Sequence, residues 1–408
     1  MRHDWTMAAL VTTLTLAAPV AQLGLPTLPL PPVGGVIGRA TATVGETIVP
    51  VVTSARELAR LRIERIDDLV RRNRDLIERD LLGAPARRGE LLLTDPTPGQ
   101  LATAQAAGFR LVELEQVEGL GFAVARLAVP EGLSLAGAEK RLASLLPGAD
   151  FSADLLHFQA GGAALPVAAL AVAVPTIVAT PIGVIDGAPG SGAAVRDTRG
   201  FATGAPLASN HGSAIVSLLA LSGASDVRIA DIYGSDPAGG NALALARGLG
   251  WLVGQGVRVV TISLVGPPSP VVAKAVAAAQ AKGVAIVAAV GNDGPAAPPP
   301  YPASYPGVIA VTAVDGRNRA LIEAGRASHL DYAAPGADML AADTRGRWVR
   351  VRGTSYAAPL VAVRLAAAWG PRSAALVRLD REARDLGARG TDPTYGRGLL
   401  CETCRRTR

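Results

Sequence analysis

Four polar side chains in the second half of the chain have the types that acyl-transfer chemistry needs. They are the carboxyl group of Asp186, the imidazole of His211, the amide of Asn292 and the hydroxyl of Ser355. A serine nucleophile needs a base to take its proton, and the base needs an acid to fix its tautomer. An amide donor can join backbone N–H groups in stabilising the oxyanion that forms on an attacked carbonyl. The four residue types therefore indicate a nucleophilic hydrolase site, provided that the fold brings them together.

Each of these residues also has a purely structural interpretation. Asp186-Gly187 is a common turn, and residues 291–294 (Gly-Asn-Asp-Gly) form another. A histidine that opens a helix is usually structural, and Thr354 or Ser355 could simply cap the apolar run at 360–369. Each signal is weak alone, and the argument for chemistry rests on their occurring together at strand ends and helix starts.

The elements around these residues indicate a sheet of parallel strands. Alternating apolar runs predict strands at 182–185, 227–233, 257–264, 284–290 and 308–314, and helices at 211–221, 241–254, 270–281 and 354–369. Strands separated by helices form parallel βαβ units, so we predict the α/β class with a doubly wound parallel sheet. In such sheets the functional residues lie at the carboxyl ends of the strands. Ser355 would lie at a helix N-terminus, where free N–H groups favour negative charge.

The chain before residue 181 divides into segments of different character. An apolar, uncharged run makes 1–22 a signal peptide or an N-terminal anchor. A Pro-rich linker follows, and Ser54 begins a capping box for an Arg-rich helix that we expect to end near residue 82. Residues 90–160 alternate predicted strands and helices in a small α+β unit, and 161–180 is either an exposed connector or a first buried strand. The predicted segments are therefore 1–22, 23–89, 90–160, 161–180, a main domain at 181–400 and a tail at 401–408.

Composition limits the classes of protein to consider. The 408 residues are 49% hydrophobic and 18% charged, which suits a folded chain of about two domains. The net charge of +6 comes from arginine, since Lys140, Lys274 and Lys282 are the only lysines. This bias is typical of a GC-rich genome, so we expect no nucleic-acid partner. We predict export to the periplasm or the medium; the alternative is anchoring by residues 1–22, which could also contact a membrane transiently.

Several stretches resemble motifs of one family, the subtilisin-like serine proteases of the subtilase superfamily (peptidase family S8). Residues 182–187 resemble its Asp block, 210–216 its His block, and 288–294 the block around its oxyanion Asn. Gly353-Thr354-Ser355-Tyr356-Ala357-Ala358-Pro359 is close to its Ser block, the most specific of these motifs. Residues 260–266 resemble the strand that lines the family's substrate cleft.

The resemblance implies a role for each residue. Ser355 would be the nucleophile, His211 the general base and then acid, Asp186 the residue that orients His211, and Asn292 the oxyanion donor. Substrate-binding residues would be Ser263, Leu264, Val265 and Gly266 in the cleft strand, and Ala288, Ala289 and Val290 in the primary specificity pocket. The implied function is a serine endopeptidase for polypeptides, made as a self-processing zymogen. Residues 90–160 would be its propeptide, which acts as chaperone and inhibitor.

The resemblance also implies that no cofactor is required for the chemistry. We identify no metal ligands, so the metal prediction is none, and a structural calcium ion stays possible without a location. Three departures from the family pattern occur: Gly187 follows Asp186 where Thr is usual, Ser213-Ala214 replaces Thr-His, and Val265 replaces a Gly. None of them changes the four chemical groups.

Other classes fit the sequence less well. A catalytically weak or inactive binding protein with this fold is the main alternative, although such proteins usually lack a catalytic residue. An α/β-hydrolase needs Gly-x-Ser-x-Gly, and Ala357 stands at the second Gly. A sedolisin-type Ser-Glu-Asp peptidase would not need His211. Cys401 and Cys404 lack two further zinc ligands, so we expect a disulfide in the tail or a bond between chains.

Overall fold

The computed structural model describes residues 54–166 and 176–405. The predicted leader at 1–22, the Pro-rich part of the linker, residues 167–175 of the connector and the last three residues of the tail lie outside the described residues. The predictions that rest on these segments therefore stay predictions.

The secondary structure alternates strands and helices after a mixed N-terminal part. The first elements are α1 (Ala55–Arg72), β1 (Ile77–Arg79), β2 (Pro85–Thr94), α2 (Pro98–Ala106), β3 (Arg110–Gln116), β4 (Ala123–Ala128), α3 (Leu135–Leu145), β5 (Phe151–Leu155), β6 (Phe158–Gln159) and β7 (Gly162–Pro166). Next come β8 (Ile182–Asp186), β9 (Asp197–Gly200), α4 (Asn210–Leu221), β10 (Val227–Asp231), α5 (Ala242–Gly254), β11 (Val259–Ile262), β12 (Leu264–Val265), α6 (Pro270–Ala281) and β13 (Ala285–Ala289). The last are β14 (Ile309–Val314), β15 (Tyr332–Pro335), β16 (Met339–Ala342), β17 (Trp348–Arg352), α7 (Ala358–Ala367) and α8 (Arg372–Glu382).

The main sheet confirms the predicted α/β class. Its seven strands lie in the order β15-β14-β13-β11-β8-β10-β9, and every neighbouring pair is parallel. Helices α4 and α7 pack on one face, where Leu218 and Val361 are buried, and α5 and α6 pack on the other, where Leu249 and Val276 are buried. The sheet is therefore doubly wound, because burial on both faces requires helices on both sides.

The smaller sheet precedes the main one and is antiparallel. Its path is β1-β2-β4-β3, with β5 paired to β2, and Leu91, Leu127 and Leu142 lie in its core. Strand β3 was not predicted from the sequence, because its residues alternate between exposed and half-buried positions at the sheet edge. The sheet begins before residue 90, since β2 already starts at Pro85.

The Arg-rich helix is shorter than predicted. We expected it to reach residue 82, but α1 ends at Arg72. The next residue, Asn73, ends the helix: its side-chain amide and its backbone N–H both donate to the Leu69 carbonyl. The chain then turns into β1, where Ile77 pairs with Arg87 of β2. Tertiary pairing thus overrides the helical periodicity.

Among the described residues we find no single membrane-spanning helix and no cluster of metal ligands. Within 54–166 and 176–405 no single helix is both long and apolar enough to cross a bilayer, and one bent pair, Thr354–Ala367 with Arg372–Glu382, meets that test by length and composition only. No group of three His, Cys, Asp or Glu side chains among these residues is arranged to hold a metal ion. Cys401 and Cys404 form a disulfide with each other, as one of the two predictions for them stated.

Candidate active site

Asp186 and His211 form a buried pair at the carboxyl end of the main sheet. Asp186 is the last residue of β8, and His211 lies in the first turn of α4, which Ser209 caps. The Nδ1 atom of His211 is 2.8 Å from Oδ2 of Asp186 and 3.0 Å from Oδ1. Asp186 also accepts hydrogen bonds from the backbone N–H of Gly187 and from Nε2 of Gln159. Because a carboxylate only accepts, Nδ1 carries the hydrogen and Nε2 presents a lone pair.

The free side of the His211 ring faces a backbone segment. Nε2 is buried, and no group among the described residues hydrogen-bonds to it. Gly161 lies beside it: a Cβ added there would stand 3.2 Å from Nε2 and 2.7 Å from the Tyr356 ring. The basic nitrogen therefore faces the backbone around residue 161, in a space that fits a glycine.

Ser355 is fully buried in a 3₁₀ turn, Thr354–Tyr356, at the start of α7. Its Oγ donates to the carbonyl of Ser263 at 2.8 Å, and Oγ of Ser263 donates to the carbonyl of Ser355 at 2.8 Å. The hydroxyl of Ser355 is thus hydrogen-bonded to the cleft strand and not to His211. This hydrogen bond has to break before His211 can take the Ser355 proton.

One carbonyl lies between the two predicted oxyanion donors. The oxygen of Ala160 accepts a hydrogen bond from the backbone N–H of Ser355 at 3.0 Å and another from Nδ2 of Asn292. These donors come from different elements, since Asn292 follows β13 and Ser355 precedes α7. Two preorganised donors on one carbonyl oxygen form the arrangement that stabilises a developing oxyanion.

Neighbouring groups fix the direction of these donors. The backbone N–H of Thr354 donates to Oδ1 of Asn292 at 3.0 Å, which leaves Nδ2 of Asn292 facing Ala160. Gly353 has φ +142°, and a Cβ there would lie 2.7 Å from Nδ2 of Asn292 and 2.8 Å from the Ala160 oxygen. A glycine is therefore required at 353 both for the backbone and for the space.

The segment before Ala160 lies in the cleft as an added strand. Strand β6 pairs antiparallel with β12, with Gln159 opposite Leu264 and Phe158 opposite Val265. The backbone N–H of Ala160 also donates to the carbonyl of Ser263 at 3.2 Å. The cleft strand predicted from the sequence thus pairs with the chain's own residues 158–160, by the backbone pairing that extended peptides use.

The other predicted substrate-binding residues lie at different depths. Gly266 lies against the imidazole of His157, where an added Cβ would be 2.5 Å from the ring. Val290 lines a cavity of about 530 Å³ together with Val265 and Phe158. Ala288 and Ala289 are buried in the hydrophobic core, on opposite faces of the main sheet.

The segment after Gly161 also pairs with the main domain. Strand β7 runs antiparallel to β17, with Gly162 opposite Arg352 and Ala163 opposite Val351. The 160–161 peptide bond is therefore flanked on both sides by strands that pair with the main domain. Sequence reasoning missed Gln159, Ala160 and Gly161, because nothing in their types marks them and their importance depends on distant partners.

Burial shifts the pKa of two side chains that precede the cleft segment, residues 158–160. The imidazole of His157 is buried with both ring nitrogens unpaired within the described residues, and burial lowers its pKa to about 4. Burial raises the pKa of Asp154 to about 7, although the backbone N–H of Leu243, in the first turn of α5, donates to its carboxyl group. Burial therefore favours the uncharged form of both groups, which is the protonated form of Asp154 and the deprotonated form of His157.

The main domain is similar in sequence to known proteins of one family. Residues 197–377 match the model of the subtilase family, a stretch that contains His211, Asn292 and Ser355 and begins after Asp186. The chain is similar to the minor extracellular protease Epr of Bacillus subtilis (strain 168), with 32% identity over 40% of this chain and 26% of that protein. It is also similar to subtilisin BL of Lederbergia lenta, with 32% identity over 36% of this chain and 54% of that protein. The alignments thus span between about a quarter and about half of the length of these two relatives.

The fold is shared with a solved structure over a longer stretch. Fervidolysin from Fervidobacterium pennivorans, a keratinolytic enzyme related to subtilisin, superposes with a TM-score of 0.63. The match covers 78% of this chain and 61% of fervidolysin at 17% identity, so it concerns the fold alone. With the family model at residues 197–377 and the sequence relatives, it leads to one conclusion: this chain contains a subtilisin-like domain that matches the subtilase family.

Proposed function

We propose that the chain is a serine endopeptidase made as a zymogen, and that its first substrate is its own Ala160–Gly161 bond. The observation that carries this proposal is the Ala160 carbonyl, which accepts hydrogen bonds from Asn292 and from the Ser355 N–H. Residues 158–160 pair with the cleft strand as a substrate would, and residues before 160 would form the propeptide.

In the proposed reaction each polar group of the site has one role in each step. Once its hydrogen bond to the Ser263 carbonyl breaks, Oγ of Ser355 attacks the carbonyl carbon of Ala160 while Nε2 of His211 takes the hydroxyl proton. The two oxyanion donors stabilise the negative oxygen, and Asp186 stabilises the imidazolium. Collapse breaks the C–N bond, His211 gives its proton to the nitrogen of Gly161, and an ester joins Ala160 to Ser355. Water, activated by His211, then hydrolyses the ester.

The test is to incubate the purified full-length chain and to sequence the N-termini that appear. We expect a new N-terminus at Gly161 in the wild type. Ser355→Ala should remove nearly all turnover, about a million-fold by analogy with triad variants, and should stay uncut. A wild-type chain that remains uncut, or a Ser355→Ala chain that is cut at the same bond, would contradict the proposal.

One observation favours the alternative of a weak or inactive subtilase-fold binding protein: the Ser355 hydroxyl donates to Ser263 and not to His211. A fluorophosphonate probe separates the two functions, because it labels only an activated serine. Labelling of the wild type, with none of Ser355→Ala, supports the peptidase, whereas no labelling of either protein supports the alternative.

We further propose that the chain is exported and that its chemistry needs no cofactor. Support for export comes from the apolar run at 1–22 and from similarity to a protease named extracellular. The groups at the site can perform every proton transfer themselves, so cleavage should continue in EDTA. If EDTA stops cleavage and added calcium restores it, a structural calcium ion is needed.

A further inference from the structure

The helix α1 contacts the main domain beside the proposed oxyanion residue. Nε of Arg62 lies 3.2 Å from Oδ2 of Asp293, and Nη2 of Arg65 lies 2.6 Å from Oδ1 of the same carboxylate. Asp293 directly follows Asn292 in the chain. Two arginines of one helix therefore hold one carboxylate at the rim of the site.

Apolar contacts accompany the ion pairs. Leu58 is 8% exposed, and a Cβ added at Gly294 would stand 2.9 Å from its side chain. Further along α1, Leu69 and Val70 pack on the cluster that contains Leu156, next to the partly buried Phe158 of the cleft segment. The helix thus contacts both the loop after Asn292 and the segment that fills the cleft.

The helix also forms one wall of the cavity on this side of the cleft. Arg62 and Ile66 from α1 line the cavity of about 530 Å³, opposite Val265, Val290 and Gly291 of the main domain. The chain between α1 and β1 is short, and cleavage at residue 160 would leave α1 joined to the small sheet. An element that lies over the cleft and stays attached to the propeptide adds a second attachment point to its docking.

We propose that α1 is a latch: its ion pairs from Arg62 and Arg65 to Asp293 keep the cleaved propeptide bound over the site. The latch rests on the proposed function, because it acts only on a protein that has cut itself. It is distinct from the occupation of the cleft by residues 158–160, since it lies outside the substrate strand. Its removal shortens the delay between cleavage and peptidase activity and leaves the cleavage itself unchanged.

The test compares two double variants of the full-length chain. Arg62→Ala/Arg65→Ala removes both ion pairs with Asp293. Arg60→Ala/Arg71→Ala is the matched control, because these two arginines pair within α1 with Glu64 and Asp68. For each protein, gel analysis gives the rate of cleavage at 160–161, and hydrolysis of an unstructured protein such as casein gives the delay before activity.

We expect all three proteins to be cut at the same rate, which also shows that each has folded. The delay should shorten about three- to tenfold in Arg62→Ala/Arg65→Ala, as suits two partly exposed ion pairs, and should be unchanged in the control. High salt should shorten the wild-type delay more than the delay of Arg62→Ala/Arg65→Ala, because it screens the pairs that this variant lacks.

The outcomes separate the latch from the proposed function. Normal cleavage with equal delays in both double variants would refute the latch and leave the peptidase intact. Should Arg62→Ala/Arg65→Ala fail to be cut, the salt dependence of the wild-type delay decides, and a delay that salt does not change refutes the latch. A wild type that is never cut would refute the proposed function, and the latch with it.

Discussion

At the scale of single residues, the site depends on the direction in which one amide points. The Thr354 N–H can only donate, so it holds Oδ1 of Asn292 and turns Nδ2 toward the Ala160 carbonyl. The hydrogen bond to the oxyanion is thus prepared before any charge develops. Such preorganised donors are worth most in transition states because they need no reorganisation during the reaction.

The first prediction concerns substitutions that remove the amide donor of Asn292. Asn292→Ala should lower the rate of self-cleavage about 100- to 1,000-fold, because one of two oxyanion donors is lost. Asn292→Asp should lose as much, although it keeps the acceptor for the Thr354 N–H. The rates are measured by N-terminal sequencing over time, with circular dichroism as the control for folding. If Asn292→Asp cleaves at the wild-type rate, the amide is not an oxyanion donor.

The second prediction concerns the space at Gly353. Gly353→Ala should abolish cleavage at 160–161, because its Cβ would lie within 3 Å of both Nδ2 of Asn292 and the Ala160 oxygen. Gly192→Ala is the control, since a Cβ there has no atom within 4 Å. Cleavage and thermal unfolding are measured for both variants. Full cleavage by Gly353→Ala would show that the carbonyl does not occupy this position during the reaction.

At the scale of elements, the same mode of recognition operates on both sides of one peptide bond. Strand β6 pairs with β12 before the bond, and β7 pairs with β17 after it. Backbone pairing holds a chain extended without selecting its side chains, so an endopeptidase can accept many sequences. The 160–161 bond is held from both directions, which aligns its carbonyl with the donors.

The third prediction concerns Asp154, which β5 presents to the N-terminus of α5. Burial in the docked chain raises the pKa of Asp154 from 3.8 to about 7, so a docked state binds the proton more tightly than a state that exposes this carboxyl group. The stabilisation is therefore complete below about pH 4 and is lost as the pH rises through 7. Asp154→Asn keeps an oxygen for the Leu243 N–H and removes the charge.

At pH 8 the cleaved propeptide of Asp154→Asn should leave the main domain at least about tenfold more slowly than that of the wild type. At pH 4 the two proteins should behave alike. Protein that has been cleaved near neutral pH is transferred to each pH, and gel filtration follows the dissociation, so the measurement does not depend on catalysis. The difference between the proteins isolates Asp154 from His157, whose lowered pKa opposes docking in acid. Equal rates at pH 8 would mean that Asp154 does not lose its hydration on docking.

At the scale of the whole molecule, the small sheet and α1 both pack on the main domain. The small sheet docks on α5 and α6 through ion pairs such as Arg247 with Glu113 and Glu115, and Lys274 with Asp95. Ser355 is completely inaccessible in this uncut chain. A chain that buries the proposed nucleophile in this way can fold before any substrate reaches it.

The fourth prediction follows from this closure. A fluorophosphonate probe should label Ser355 in the cut protein only after the propeptide leaves, and it should label the uncut band weakly or not at all. A time course on a gel compares labelling with total protein, and Ser355→Ala shows the background. Equal labelling of the uncut and cut bands would show that the cleft is open in the zymogen.

The sequence by itself determined the parallel sheet and the positions of the four polar residues. Runs of apolar residues with helical or strand period predict elements locally, and Asp186, His211, Asn292 and Ser355 lie at the ends of such runs. The end of α1 at Arg72 and the edge strand β3 escaped this reasoning, because neighbours from other elements decide them.

Only the tertiary structure decided what occupies the site. Ala160 and Asn292 are 132 residues apart, and Arg65 and Asp293 are 228 apart, so no local pattern predicts that they meet. The direction of the Ser355 hydroxyl likewise depends on the carbonyl of Ser263. The two residues are 92 positions apart in the chain, so they meet only in the folded protein. Local periodicity encodes elements, whereas contacts between distant residues arise only when the elements pack, and it is these contacts that place the Ala160 carbonyl between Asn292 and Ser355.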